Sequence, residues 1–128
     1  MKNRAIDYYN KGYNCSQCIL KAFESKYKIT INQQSYEMCT GINTGLGIGT
    51  TCSVLVAGIM IFGILFDDQT AKQLRMKLLT MFKEQHRSLN CDALIKERSS
   101  GRKCDRIVAE VADMIDLIIQ GEQRGERF

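Results

Sequence analysis

The sequence predicts an all-α fold in a single domain, and three observations support this prediction. The 128 residues contain no proline, whereas all-β folds need many turns, which favour proline and glycine. Apolar residues recur at helical spacing in several long segments. The length suits one domain, and a hydrophobic fraction of 45% is enough for a core. We therefore expect residues 1–128 to form a bundle of five to seven helices around a buried central apolar helix.

Capping patterns place the first three helices. A short helix is predicted over residues 3–10. Asn14 then has the pattern of an N-cap, with Gln17 as its capping-box partner. The helix that it begins is expected to run to about Tyr27, and Thr30 is predicted to cap a third helix.

Residues 38–66 carry no charged side chain, which raises the question of a membrane helix. The strongly apolar part, residues 54–66, is shorter than the roughly 20 residues that a spanning helix needs. The acidic pair Asp67 and Asp68 provides no basic anchor after it. The pattern favours a central helix, capped by the threonines before Cys52, over membrane insertion.

The remaining sequence predicts a long amphipathic helix that ends near His86, and a last helix that starts near Ser99. The last helix shows the alternating four–three spacing of a packed seam. Its members are Cys104, Val108, Val111, Ile115 and Ile118. His86 is expected in solvent at a helix end, and Asp116 on the surface.

The net charge of +4 is spread along the chain. Residues 1–37 carry six basic and three acidic side chains, and residues 67–128 carry twelve and eleven. Nucleic-acid binding usually leaves a concentrated basic stripe. We therefore expect no nucleic-acid partner.

Six cysteines are the strongest compositional signal. The first seven residues lack the apolar region of a secretory signal, so a cytoplasmic location is expected. Thiols stay reduced there, and clustered cysteines more often bind metal or carry redox chemistry than form a disulfide framework.

Four of these cysteines lie near predicted helix starts. Cys15 follows Asn14, Cys52 follows two threonines, Cys91 follows an asparagine, and Cys104 follows two serines by a few residues. The N-terminus of a helix favours an anion, which lowers the pKa of a thiol there. Four thiolates are the ligand set of iron–sulfur clusters and of structural zinc, although a single buried cysteine is often only core filler.

Two other uses of the cysteines stay open. Cys15 and Cys18 form a Cys-x-x-Cys motif at a helix start, which fits a metal-free thiol–disulfide oxidoreductase, although no βαβ pattern surrounds it. Zinc bound by four thiolates, or a purely structural module, is the other alternative. Cys39 is expected to be a buried thiol.

Gly45, Gly47 and Gly49 form a glycine-rich segment before Cys52. A phosphate-binding loop would need a lysine and a preceding strand, and both are missing from the pattern. We expect these glycines to let backbone N–H groups approach the cysteine site and donate to sulfur.

The order of the cysteines resembles that of the C-GCAxxG-C-C family of small redox-active proteins. Residues 12–17 (GYNCSQ) match the first family segment, and residues 41–51 with Cys52 match its glycine-rich segment. Cys91 and Cys104 match the last two cysteines, and the resemblance covers most of the chain.

The resemblance implies that Cys15, Cys52, Cys91 and Cys104 are the four family cysteines. The family is similar to the iron–sulfur domain of split-Soret cytochromes, which implies a cluster, and we expect [2Fe–2S]. Its role would be electron transfer or redox sensing with a redox partner protein. Residues 53–57 (SVLVA) replace the family's small residues, which predicts less room beside Cys52.

The central helix is apolar almost all the way round. A small bundle cannot easily bury every side of such a helix, and exposed apolar surface promotes association. We therefore predict a homodimer.

Overall fold

The computed structural model describes residues 1–42, 48, 51–86, 88–90 and 105–123. These residues contain six α-helices and no β-strand, so the all-α prediction is confirmed for them. The helices are α1 (Lys2–Asn10), α2 (Cys15–Tyr27), α3 (Gln33–Met38), α4 (Ser53–Leu65), α5 (Asp68–His86) and α6 (Asp105–Gln123). The predicted helix at Cys91 and the predicted start of the last helix lie outside the described residues.

The first two helices form an antiparallel hairpin. Gly12 turns the chain between them with a φ of +99°, a conformation that residues with a Cβ rarely adopt. The guanidinium group of Arg4, near the start of α1, donates to the Ser25 hydroxyl near the end of α2 over 2.6 Å. This contact joins the two ends of the hairpin that lie farthest from the turn.

The third helix begins later than the sequence predicted. Its N-cap is Asn32, whose Oδ1 accepts hydrogen bonds from the Ser35 amide (2.9 Å) and the Ser35 hydroxyl (2.8 Å). The prediction that Thr30 is the cap is therefore wrong. An asparagine two residues further on makes the capping bond, and the amide of Ile31 donates to the Glu24 carboxylate instead (2.9 Å).

The helix α4 is the buried centre of the bundle and packs against α2, α5 and α6. Its side chains Val54, Leu55, Ile61 and Phe62 are buried, as predicted. Ile64 is 53% exposed, and other apolar side chains of α4, such as Ile59 and Leu65, are only partly buried. In the part of the chain that the structure describes, no helix is long and apolar enough to cross a membrane.

The close packing of α4 depends on Gly58. A Cβ atom added there would lie 2.8 Å from Cδ1 of Ile115 on α6 and 3.0 Å from Cδ2 of Leu78 on α5. Leu78 on α5 and Ile115 on α6 both lie beside Gly58. The next contact pairs His86, which is later on α5, with Glu110, which is earlier on α6. The helices α5 and α6 are therefore antiparallel.

The seam predicted for the last helix is confirmed at its described positions. Val108, Val111, Ile115 and Ile118 are all buried. Cys104, the remaining member of the seam, lies outside the described residues.

The structure contradicts the expectation that His86 is solvated. Only 8% of His86 is exposed. Its Nε2 lies 2.6 Å from a carboxylate oxygen of Glu110, and its ring stacks on Phe82 with 4.4 Å between centroids. Phe82, one turn earlier on α5, and Glu110, on α6, therefore cover the His86 side chain.

Asp116 is also not a surface residue, because α6 turns it toward the end of α2. Its carboxylate is 14% exposed and accepts hydrogen bonds from the Lys26 ammonium and the Tyr27 hydroxyl. Burial alone would raise the pKa of Asp116, but these bonds and the nearby positive charges lower it overall. The carboxylate thus fastens α6 to α2.

Candidate functional site

Cys52 occupies the start of α4 and is itself the N-cap residue, with an extended backbone (φ −60°, ψ 126°). Its amide donates to the carbonyl of Leu89 over 2.8 Å. The preceding residue, Thr51, forms an isolated antiparallel bridge with Asn90. The prediction that a threonine caps this helix is wrong, because backbone pairing with residues 88–90 positions the chain there instead.

The side chain of Cys52 makes no capping hydrogen bond, and the residue is 6% exposed. The first turn of α4 contains no acidic residue. The first N–H groups of a helix have no intrahelical acceptor, and they favour a negative charge placed at that end. The start of α4 is therefore a favourable place for a thiolate.

Three helix ends meet at this end of the bundle. Residues 88–90 follow the end of α5 and pair with the start of α4. Because His86 contacts Glu110, the first turns of α6 lie beside the same end of α5. Asn90 and Asp105 are the described residues next in sequence to Cys91 and Cys104.

Several predicted site residues are not among the described ones. These are Cys91, Cys104, Gly45, Gly47 and Gly49. Their predicted roles stay predictions. Within the residues that are described, no three His, Cys, Asp or Glu side chains are grouped as a metal site requires.

Cys15 is the first residue of α2 and is half-buried. The capping box before it is confirmed. Oδ1 of Asn14 accepts from the amide of Gln17 and the hydroxyl of Ser16, both at 2.9 Å. The side chain of Gln17 accepts from the Asn14 amide in return (3.2 Å). Cys15 therefore lies at the positive end of a helix whose start is already capped.

Cys18 lies one turn further along α2 and is completely buried. Its thiol is 3.6 Å from the carbonyl oxygen of Tyr13, to which it donates. Burial raises the pKa of Cys18 to about 12, although a hydrogen bond from its own amide partly offsets this. The thiol is therefore protonated at neutral pH.

Cys39 follows α3 and is also completely buried, as predicted. Its thiol donates to the carbonyl of Ser35 over 3.4 Å. Burial raises its pKa, and a hydrogen bond with the Ser16 hydroxyl only partly opposes the shift. Cys18 and Cys39 are thus neutral core thiols, whereas Cys15 and Cys52 lie at helix starts.

Sequence reasoning missed the part played by residues 88–90. Asn90 was expected only as a helix cap, yet it pairs with Thr51, and Leu89 accepts from Cys52. These bonds join residues almost forty positions apart, and no local pattern marks such a pairing.

The fold and the two thiol environments define a small helical protein with cysteines suited to redox chemistry. The sequence model of the family described as "Putative redox-active protein (C_GCAxxG_C_C)" matches residues 13–118. The chain belongs to this family. No curated protein and no solved structure matches it.

Proposed function

We propose that the chain holds an iron–sulfur cluster, of the [2Fe–2S] type, through the thiolates of Cys15, Cys52, Cys91 and Cys104. Its function would be electron transfer or redox sensing. The observation that carries this proposal is the backbone pairing at the start of α4. It joins Cys52 to the residues that lead directly into Cys91.

Chain connectivity supports the grouping of these cysteines. Asn90 and Asp105 are the described residues next in sequence to Cys91 and Cys104, and their contacts bear on the proposal. Asn90 pairs with Thr51, beside Cys52, and Asp105 begins the helix that contacts the end of α5 through Glu110. The described residues next in sequence to Cys52, Cys91 and Cys104 thus belong to segments that contact one another, which supports the proposal that these cysteines share a site.

The choice of four cysteines from six also follows from the described thiols. Cys18 and Cys39 donate to backbone carbonyls inside the core, and burial raises their pKa values, which makes them less favourable ligands. Cys52 is nearly buried at the start of a helix, where the first N–H groups favour a negative charge.

A bound [2Fe–2S] cluster would accept and release one electron. The chain's own residues would supply the thiolates and exclude water on the side of α4. Backbone N–H groups that donate to sulfur raise the reduction potential of such centres. The start of α4 offers donors of this kind.

The test is an absorption spectrum with iron, zinc and sulfide assays on protein purified without oxygen. We expect brown protein with about two iron and two sulfide per chain. Cys52→Ser should abolish the colour. The matched control Cys39→Ala, which alters a buried thiol outside the proposed ligand set, should retain it.

Two outcomes would overturn the proposal in different directions. Colourless protein with stoichiometric zinc would indicate a zinc-binding or structural module, because Zn²⁺ is d¹⁰. Metal-free protein in which Cys15 and Cys18 titrate as a reversible dithiol would indicate a thiol–disulfide oxidoreductase.

The dithiol alternative has one observation in its favour, because Cys15 is half-buried at a helix start while Cys18 is enclosed one turn later. Cys15 would attack the substrate disulfide and Cys18 would resolve the mixed disulfide. The raised pKa of Cys18 opposes the second step. Cys18→Ser abolishes this activity but leaves a cluster intact.

The homodimer also stays a proposal. Most of α4 is buried within one chain, which leaves Ile64 as its largely exposed apolar side chain. A monomeric mass by light scattering at micromolar concentration would contradict it.

A further inference from the structure

The hairpin of α1 and α2 carries a group of cations that the proposed cluster does not use. Arg4 lies on α1, Lys11 is the C-cap residue of that helix two turns later, and Lys21 lies on α2. We call these three residues the basic face.

Aromatic rings hold two of these cations in place. The ammonium nitrogen of Lys11 is 5.0 Å from the ring centroid of Tyr8. That of Lys21 is 4.2 Å from the centroid of Tyr36 and 5.5 Å from that of Tyr13. Tyr8 and Tyr13 meet edge to face with 5.6 Å between centroids, so the two rings connect Lys11 and Lys21 across the hairpin.

The cations of the basic face form no ion pair with another residue that the structure describes. Among the described residues, no carboxylate lies within 4.0 Å of these three cations, whereas other cations such as Lys26 are paired. The neighbouring Glu24 accepts from Tyr36 and Ile31, and Lys21 acts on it only from a greater distance. Asp7 is the other carboxylate on this hairpin and lies one turn from Lys11.

The basic face continues into an open depression at the start of α2. Lys11, Gly12, Tyr13 and Gln17 line it. Tyr13 and Gln17 each lie two residues from Cys15. A partner seated here would therefore lie close to the proposed redox site.

We propose that the basic face docks an acidic segment of a partner protein. Carboxylates would pair with cations that are already ordered over tyrosine rings, which reduces the entropy lost on binding. Tyrosine and arginine are enriched in protein interfaces, and complementary charge speeds association. The binding itself does not depend on the proposed function. Only its role, electron exchange near Cys15, rests on that function.

The experiment measures binding of a fluorescent oligoglutamate peptide by anisotropy, at about 20 mM and about 200 mM salt. The variant Lys11→Gln/Lys21→Gln neutralises two cations of the basic face. The control Lys72→Gln/Lys83→Gln neutralises two exposed lysines on α5, so both variants have the same net charge. The first should weaken binding roughly three- to tenfold at low salt and flatten its salt dependence, and the control should change it less than about twofold.

Three results would overturn the inference. The two variants could weaken binding equally, which would indicate attraction by net charge alone. The wild-type protein could fail to bind the peptide at all. It could instead bind only anionic phospholipid vesicles, which would make the face a membrane contact.

Failure of the proposed function is distinguishable from failure of this inference. Peptide binding is measured on the protein whether or not it contains iron. If the protein is colourless but the two variants still differ in peptide binding, the docking proposal stands and the cluster proposal fails.

Discussion

The helices α2 and α4 both begin beside a cysteine, but their starts are held in different ways. At α2, Asn14 and Gln17 exchange capping bonds within four residues of sequence. At α4, the side chain of Cys52 makes no capping bond, and the backbone pairs with Leu89 and Asn90. The start of α2 is therefore capped by residues adjacent in sequence, whereas the start of α4 is held by residues almost forty positions later.

This difference separates two tasks that cysteine can perform at a helix start. Amide side chains already form the cap of α2, so Cys15 is not needed for it. At α4 the N-cap side chain makes no capping hydrogen bond, and a thiolate at this position would be favoured by the first N–H groups of the helix. Stability at α2 and reactivity at α4 should therefore respond to different substitutions.

The largest expected effect comes from Gly58→Val, which disturbs the packing that positions α4. The new side chain would press on Ile115 and Leu78, because even a Cβ atom approaches them to 2.8 and 3.0 Å. Overpacking of this kind costs about 2–3 kcal/mol of unfolding free energy, measured by urea denaturation.

The matched control is Gly63→Ala on the same helix, where an added Cβ meets nothing within 4 Å. Alanine is the better helix former, so this variant should gain up to about 1 kcal/mol. Equal effects of the two substitutions would show that α4 is not positioned by contact at Gly58.

A second prediction concerns pH and contrasts the two cysteines of α2. Folding raises the pKa of Cys18 from 9.0 to about 12, so its contribution to stability is complete below pH 9 and is lost as pH rises toward 12. Near pH 10.5 the loss from this group is about 2 kcal/mol. Cys18→Ala should flatten the alkaline fall in unfolding free energy, measured by urea titrations at several pH values.

The control for this pH prediction is Cys15→Ala, which should keep the alkaline slope of the wild type. Tyr27 and Tyr36, whose pKa values burial also raises, are present in both variants and cancel in the comparison. An unchanged slope in Cys18→Ala would contradict the burial argument.

The smallest predicted effect tests the caps themselves. Asn14→Ala removes the acceptor for the Gln17 amide and the Ser16 hydroxyl, which should cost about 1–2 kcal/mol in thermal or urea unfolding. Thr51→Ala precedes α4 at an exposed position held by backbone pairing, so it should cost less than about 0.5 kcal/mol. A larger loss at Thr51 would reverse the comparison.

Local signals in the sequence were enough for the parts of the fold that depend on adjacent residues. The capping box of Asn14 and Gln17, the buried α4 and the seam of α6 were all predicted correctly. Within the site, Cys15 and Cys52 do lie at helix starts.

The errors arose where a distant residue determines the environment. His86 is buried because Glu110 comes from another helix, and Asp116 is half-buried because α6 brings it against Lys26, ninety positions earlier. Thr51 does not cap α4 because Asn90 pairs with its backbone. Helical periodicity contains no information about such partners.

The bridge between Thr51 and Asn90 also sets an order of events during synthesis. The carbonyl that accepts from the Cys52 amide belongs to Leu89, which is translated about 2 to 7 seconds later at the usual 5–20 residues per second. Until then α4 has no anchored beginning, however well its apolar side chains have collapsed.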